Sequence, residues 1–190
     1  MGCLLAYLMG SIPFGYLVAK TQGVDIRKLG SGNIGGTNVR RNLGFKWGFI
    51  VGLLDFSKSY LPSILARRLW TNDWQILLIS LMPVIGHIFP IWLKFKGGKG
   101  VATIFGIIAA YFGLLTFLAG LIAWYLIVKM AQLMSLVNLC VGLFLPFLFG
   151  FVFHSYLYAS FGLVLCLFIW WSHRENIQRL LAGTENPANY

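Results

Sequence analysis

Acidic side chains are scarce in this chain: five Asp and Glu stand against fifteen Lys and Arg among 190 residues, and charged residues make up only 11% of the total. A soluble domain carries roughly 25%, so an ordinary water-facing surface is excluded. Cysteine is almost as rare. Cys3, Cys140 and Cys166 all lie in apolar runs without metal-ligand spacing, which makes them small packing residues. The three histidines, His87, His154 and His173, lack a His-x-x-x-x-Asp spacing, since Trp92, Ala159 and Gln178 occupy the acid position. No Ser-His-acid set and no activated cysteine stands in the polar segments, which argues against nucleophilic catalysis by a protein side chain. Internal repeats, low-complexity tracts and a soluble domain are also missing, so residues 1–190 are expected to form a single membrane domain. The first apolar run has neither a basic leader nor a small-x-small cleavage site, and is expected to remain as a first span.

Apolar residues are what the chain has in quantity: 58% of the sequence, with a mean hydropathy of +0.78. A bilayer core about 30 Å thick takes about 20 helical residues. That length places spans near Leu4–Ala19, Phe45–Ala66, Trp74–Leu93, Val101–Val128, Leu133–Phe153 and His154–Trp171. As one helix, Val101–Val128 would be about 42 Å long. Two short spans turning near Tyr111-Phe112-Gly113 fit better than one steep crossing, and bring the total to about seven. The expected fold is an all-α polytopic membrane bundle with short fourth and fifth helices.

The net charge of +10 sits mostly between the runs, which suits anionic headgroups or phosphorylated substrates rather than nucleic acid. Six basic residues fall between Lys20 and Lys46 and three between Lys94 and Lys99, whereas Arg67 and Arg68 stand apart. The positive-inside rule then puts the N-terminus outside and, with seven spans, the basic tail in the cytoplasm. Trp70, Trp74, Trp92, Trp124, Tyr125, Trp170 and Trp171 lie near span ends, where aromatic rings anchor at headgroup level.

Three polar segments remain. The first, GSGNIGGTNVRRNLG from Gly30, contains GxGxxG by coincidence, because no βαβ unit flanks it. Its glycines would still let backbone amides curl around a phosphate, with Ser31, Thr37 and Asn38 as further donors and Arg40 and Arg41 as guanidinium forks. The second runs from Gly86-His87 to Gly97-Gly98-Lys99-Gly100, which frames an ammonium with glycines at a helix start. It lacks P-loop spacing. In the third, from His173, residues Asn176 and Arg179 follow at intervals of three along a helix expected to continue the last span. Asp55 and Lys58, also three apart, lie at membrane depth and are expected to neutralise each other, while Ser135 and Asn138 share a face of a later span.

Together these segments resemble the bacterial acyl phosphate:glycerol-3-phosphate acyltransferases, the PlsY family. The first family motif is matched by Ser31, Gly32, Asn33, Gly35, Gly36, Thr37, Asn38 and Arg41; the second by Gly86, His87, Phe89, Pro90, Phe95, Gly97 to Lys99 and Gly100 to Thr103; the third by His173, Arg174, Asn176, Arg179, Leu180, Gly183 and Glu185. Asp55 and Lys58 fit the family's Asp-x-x-Lys. The chain departs from the family at Asn138, often serine, and near Tyr111 to Gly113, often Ser-Pro.

The resemblance implies a multi-pass enzyme of the bacterial inner membrane with a cytoplasmic active site. It would move a fatty acyl group from acyl phosphate to the sn-1 hydroxyl of glycerol 3-phosphate, yielding lysophosphatidic acid and phosphate, the first committed step of phospholipid synthesis. No cofactor or metal is expected. The partners are the two substrates and membrane lipids. Direct attack by the glycerol hydroxyl assigns catalysis to Lys99, Arg41, His173 and Asn176: the first two steady the leaving phosphate, and Asn176 and the glycine-loop amides face the oxyanion. Either His173 or a substrate phosphate takes the proton. Substrate binding falls to Ser31, Gly32, Asn33, Gly35, Thr37, Asn38, His87, Gly97, Gly98, Ser135, Asn138, Arg174 and Arg179. A transporter of phosphorylated anions is the alternative, because it too would use internal charges such as Asp55 and Lys58.

Overall fold

Ten α-helices and two short 3-10 turns, with no strand among the described residues, form the chain in a computed structural model that describes residues 1–188. The expected all-helical membrane architecture is the one observed. Among the described residues five helical stretches are long and apolar enough to cross a bilayer, or six when one bent pair counts as a span. The chain divides into two compact units, Met1–Tyr111 and the residues from Phe112 onward.

In the first unit the opening span is broken. Pro13 has no amide hydrogen to continue a helix, so the run divides into α1 (Gly2–Ser11) and α2 (Phe14–Thr21). A 3-10 turn at Ile26–Lys28 leads to α3 (Gly36–Leu43), then α4 (Phe45–Leu69) and α5 (Asp73–Ile88). Lipid tails are as apolar as leucine, so helices in a bilayer associate through close backbone packing at small residues. A Cβ on Gly10 of α1 would overlap Pro83 of α5, and one on Gly86 of α5 would overlap the Tyr7 carbonyl. The Tyr7 hydroxyl also donates to the Phe89 carbonyl at 2.8 Å. Helix α3 lies on α4 through Gly36 and Gly48 in the same way. Along α4, Asp55, Ser59 and Ser63 recur every four residues and are all buried, which gives this helix a polar inner stripe. At its end Arg67 donates to the Ala110 carbonyl and stacks over the Tyr111 ring.

The long run from Val101 breaks where expected. Helix α6 (Val101–Phe112) stops, Gly113 adopts φ 87°, and α7 (Leu114–Ala131) begins. Glycine takes this left-handed backbone without steric cost.

In the second unit, α8 (Met134–Phe153) and α9 (Tyr156–Ser172) form an antiparallel pair joined at His154 and Ser155. Gly142 meets Ile169, Gly150 meets Ala159, and Gly162 lies on the Leu145 carbonyl. The Phe149 ring packs edge-on against Phe161 at 5.4 Å. One expectation needs correction here: the tail does not continue the last span. Between α9 and α10 (Arg174–Leu181) the axis bends by 63°. The bend is at His173, whose amide contacts two carbonyls, Ile169 and Trp170, while its ring Nδ1 bonds the Ile169 carbonyl at 2.8 Å. A side chain inserted into the carbonyl ladder is a recognised cause of such kinks. Two indoles expected at headgroup level also have protein partners: Trp124 Nε1 donates to Asn138 Oδ1 at 3.0 Å and Trp170 Nε1 to the Leu139 carbonyl at 3.3 Å.

Candidate active site

The glycine segment is built around the side chain of Asn38. Its Nδ2 faces the carbonyls of Ile26, Leu29 and Asn33 at 3.3, 3.0 and 2.8 Å, and its Oδ1 accepts from the Ser31 amide at 3.1 Å and from Asn42 Nδ2. Asn33 makes a second local brace, with Oδ1 accepting from the Gly35 amide at 2.8 Å, an Asx turn into α3. The amide of Gly32 bonds the Leu29 carbonyl at 3.0 Å. These contacts hold the loop in shape: the Asn38 Nδ2 and the amides of Gly32 and Gly35 bond within the protein, and Asn33 Oδ1 accepts one of those amides. Ser31 and Arg41 are exposed, with Thr37 and Arg40 partly so.

Of the six cations between Lys20 and Lys46, Arg27 is neutralised locally. Its Nε and Nη2 donate to both carboxylate oxygens of Asp25 at 2.9 and 2.7 Å, and its guanidinium lies 4.6 Å from the Tyr16 ring centre. The hydrogen bond from Arg27 holds the Asp25 carboxyl down at about 2.

The second segment folds back on the end of α5. Lys94 and Phe95 take left-handed backbone, turning the chain so that the amides of Gly97 and Gly98 bond the carbonyls of Ile88 and His87 at 3.1 and 3.0 Å. Those two amides cap the carbonyls at the end of α5. Gly98 sits directly on the His87 imidazole, and an added Cβ would fall within 2.8 Å of ring Cε1. Lys99 follows, half-buried, immediately before Gly100 and α6, where Thr103 Oγ1 bonds the Gly100 carbonyl at 2.7 Å.

Beneath this loop His87 belongs to a buried ionic cluster. Lys58 Nζ lies 2.9 Å from Asp55 Oδ1, and His87 Nδ1 stands 3.5 Å from the same oxygen. The ammonium also donates to the Ile12 carbonyl at 3.0 Å, at the break between α1 and α2. The expected neutralisation of Asp55 by Lys58 is observed, and with it goes the internal charge that favoured a transporter.

In the second unit the polar residues converge on a carboxylate that the expected site omitted. Glu185 Oε1 accepts from Ser135 Oγ and Asn176 Nδ2, both at 2.8 Å, and Oε2 accepts from Arg179 Nε at 2.9 Å. Asn176 Nδ2 also donates to Ser135 Oγ at 2.8 Å. Both amide hydrogens of Asn176 are therefore engaged, and it ties Ser135 to the Glu185 carboxylate. Burial pushes the Glu185 carboxyl up, yet the donors from Asn176, Ser135 and Arg179 outweigh it and hold the group below its ordinary range. His173 is almost fully buried. A carbonyl can only accept, so the Ile169 contact puts the ring proton on Nδ1 and the lone pair on Nε2. Arg174 is exposed and stacks on Trp171 at 4.6 Å.

Residues 1–183 match the family model described as glycerol-3-phosphate acyltransferase. The chain belongs to the glycerol-3-phosphate acyltransferase family. A family member from Aquifex aeolicus is 40% identical over 96% of this chain and 95% of its own length, and one from Thermotoga petrophila is 41% identical over 98% and 94%. Crystal structures of PlsY (YgiH), an integral membrane glycerol 3-phosphate acyltransferase, superpose with TM-scores of 0.89 in the glycerol 3-phosphate form and 0.87 in the lysophosphatidic acid form. Each covers 98% of this chain and 93% of its own, at 39% and 38% identity. For this acyltransferase family the three polar motifs all fall on the loops and helix ends described above. Glu185 could have been found from sequence, since it stands in the third motif, but a lone acid in a basic tail carries no local signal of three donors.

Proposed function

We propose that this membrane acyltransferase takes its acyl group from an acyl phosphate and delivers it to the sn-1 hydroxyl of glycerol 3-phosphate. The observation that supports this most is the likeness to PlsY in two forms, one with glycerol 3-phosphate and one with lysophosphatidic acid, which are substrate and product of one transfer. The glycerol oxygen attacks the acyl carbon, the bond from that carbon to the phosphate oxygen breaks, and inorganic phosphate departs with the electron pair. A mixed anhydride is electrophilic enough to need no acyl-enzyme.

Lys99 and Arg41 neutralise charge on the departing phosphate and the developing oxyanion. Ser31, Thr37 and Arg174 hold the glycerol phosphate. His173 Nε2, the ring nitrogen with the lone pair, takes the hydroxyl proton; the competing acceptor is an oxygen of the donor's phosphate. Much of the acceleration comes from holding two reactants in line. The reaction uses no cofactor. Charge distribution supports seven spans in the bacterial inner membrane, with the N-terminus outside and the polar segments cytoplasmic.

Purified protein in detergent, given labelled glycerol 3-phosphate and either acyl phosphate or acyl-coenzyme A, tests the donor. Labelled lysophosphatidic acid should form with acyl phosphate alone. Product from the thioester alone would overturn the donor assignment, and no product from either would overturn the reaction.

A further inference from the structure

The buried cluster of Asp55, Lys58 and His87 touches two places where the backbone is irregular, and of its three side chains only His87 belongs to the expected substrate site. At one end Lys58 Nζ holds the Ile12 carbonyl at 3.0 Å, where Pro13 interrupts the first span. At the other end the His87 ring lies against Gly98, the residue before Lys99, so closely that a single methyl would collide with it. Asp55 Oδ1 joins the two, 2.9 Å from Lys58 and 3.5 Å from His87. All three residues are at least 96% buried, with exposures of 2%, 1% and 4%. Charge at such depth is costly and persists where it is paired.

We propose that Lys58, Asp55 and His87 are positioning residues that fix the Gly97–Gly100 loop, and with it the Lys99 ammonium, to the break in the first span. The imidazole is the floor on which Gly98 rests. Asp55 Oδ1 packs beneath the imidazole, 3.5 Å from Nδ1 and outside hydrogen-bond geometry, and Lys58 anchors Asp55 to the Ile12 carbonyl. The glycine at position 98 is then explained by the ring beneath it, not by an anion above it. This inference rests on the role given to Lys99 in the reaction, and its test separates the two.

The substrate held by Lys99 is first defined by measurement, as the one whose KM rises in Lys99→Ala. The paired neutral variant Asp55→Asn/Lys58→Met removes both charges and leaves no unpaired ion. It is expected to raise KM for that same substrate at least 10-fold and to leave the other KM unchanged, a split that general loosening of the bundle would not produce. Independently, Gly98→Ala and His87→Ala are combined. If the ring is the floor, Gly98→Ala costs about 100-fold in kcat/KM in the native background and less than 5-fold once His87 is alanine. Trypsin should cut after Lys99 faster in His87→Ala than in the native enzyme.

Effects of the two alanines that multiply, or a native cleavage rate after Lys99 in His87→Ala, overturn the proposal, and neither readout requires the paired variant to fold. Unchanged kinetics in Lys99→Ala would instead overturn the role given to Lys99, leaving cleavage and the alanine pair to decide the loop.

Discussion

Asn176 Nδ2 donates to Glu185 Oε1 at 2.8 Å, and Ser135 donates to the same oxygen, so one carboxylate ties α10 and the start of α8 to the C-terminal segment. Removing it leaves three donors facing a gap. Glu185→Ala should cost about 1–3 kcal/mol of stability, seen as a lower Tm in detergent, with activity lost along with the α10 helix (Arg174–Leu181) it supports. An unchanged Tm would show that the network carries no stability.

The same carboxylate gives the tail a pH dependence of known sign. Its folded value lies below the ordinary glutamate value of 4.5 because the donors favour the charged form. The stability it contributes is therefore complete above pH 4.5 and disappears as pH falls through the lower folded value. Tm measured from pH 6 down to pH 3 should fall more steeply for the native protein than for Glu185→Gln. Parallel curves would remove Glu185 as the source.

Asn38 and Arg41 lie three residues apart in one motif and should fail differently. Asn38→Asp would set carboxylate oxygens against the carbonyls of Ile26, Leu29 and Asn33, so it should lower Tm and activity together. Arg41→Ala, exposed on α3, should lower kcat/KM by about 100-fold or more with Tm unchanged. The comparison is thermal melting beside steady-state kinetics on both purified variants. Equal losses of Tm would refute the division of roles.

That division marks how far sequence carries. The helices, the break at Gly113 and the Asp55–Lys58 pair were legible because hydropathy, a glycine at the centre of an overlong run, and charge at membrane depth are each local signals. The partners of Asn33, Asn38 and Asn176 were not. An asparagine that binds a phosphate and one that bridges a loop look alike until the groups around it are known: the Gly35 amide for Asn33, the carbonyls of Ile26, Leu29 and Asn33 for Asn38, and the Glu185 carboxylate for Asn176. The kink at His173 was hidden for the same reason: a histidine within helical periodicity gives no warning that its own ring will occupy a carbonyl of the preceding turn.

His173 separates the two routes for the proton. With Nδ1 fixed on the Ile169 carbonyl, glutamine in its place offers no basic nitrogen. His173→Gln should reduce kcat by about 100-fold or more. Near-native turnover would assign the proton to the donor's phosphate instead.

Charge placement makes a last prediction, about sides of the membrane. Helix α6 has 12 residues, about 18 Å of rise, against a hydrocarbon core of about 30 Å, so its crossing is the weakest part of the seven-span count. Lys46 and Glu175 are both exposed, before and after the run in question, and Asp73 follows the isolated Arg67–Arg68 pair. With Cys3, Cys140 and Cys166 replaced by serine, single cysteines are introduced as Lys46→Cys, Asp73→Cys and Glu175→Cys. An impermeant maleimide on intact spheroplasts should then label only the variant at 73, with the other two reacting after lysis. Labelling at 175 before lysis, with 46 still protected, would mean that residues 101–128 cross once and that the tail lies outside. In that case the positive-inside rule would have been outweighed here by the shortness of α6.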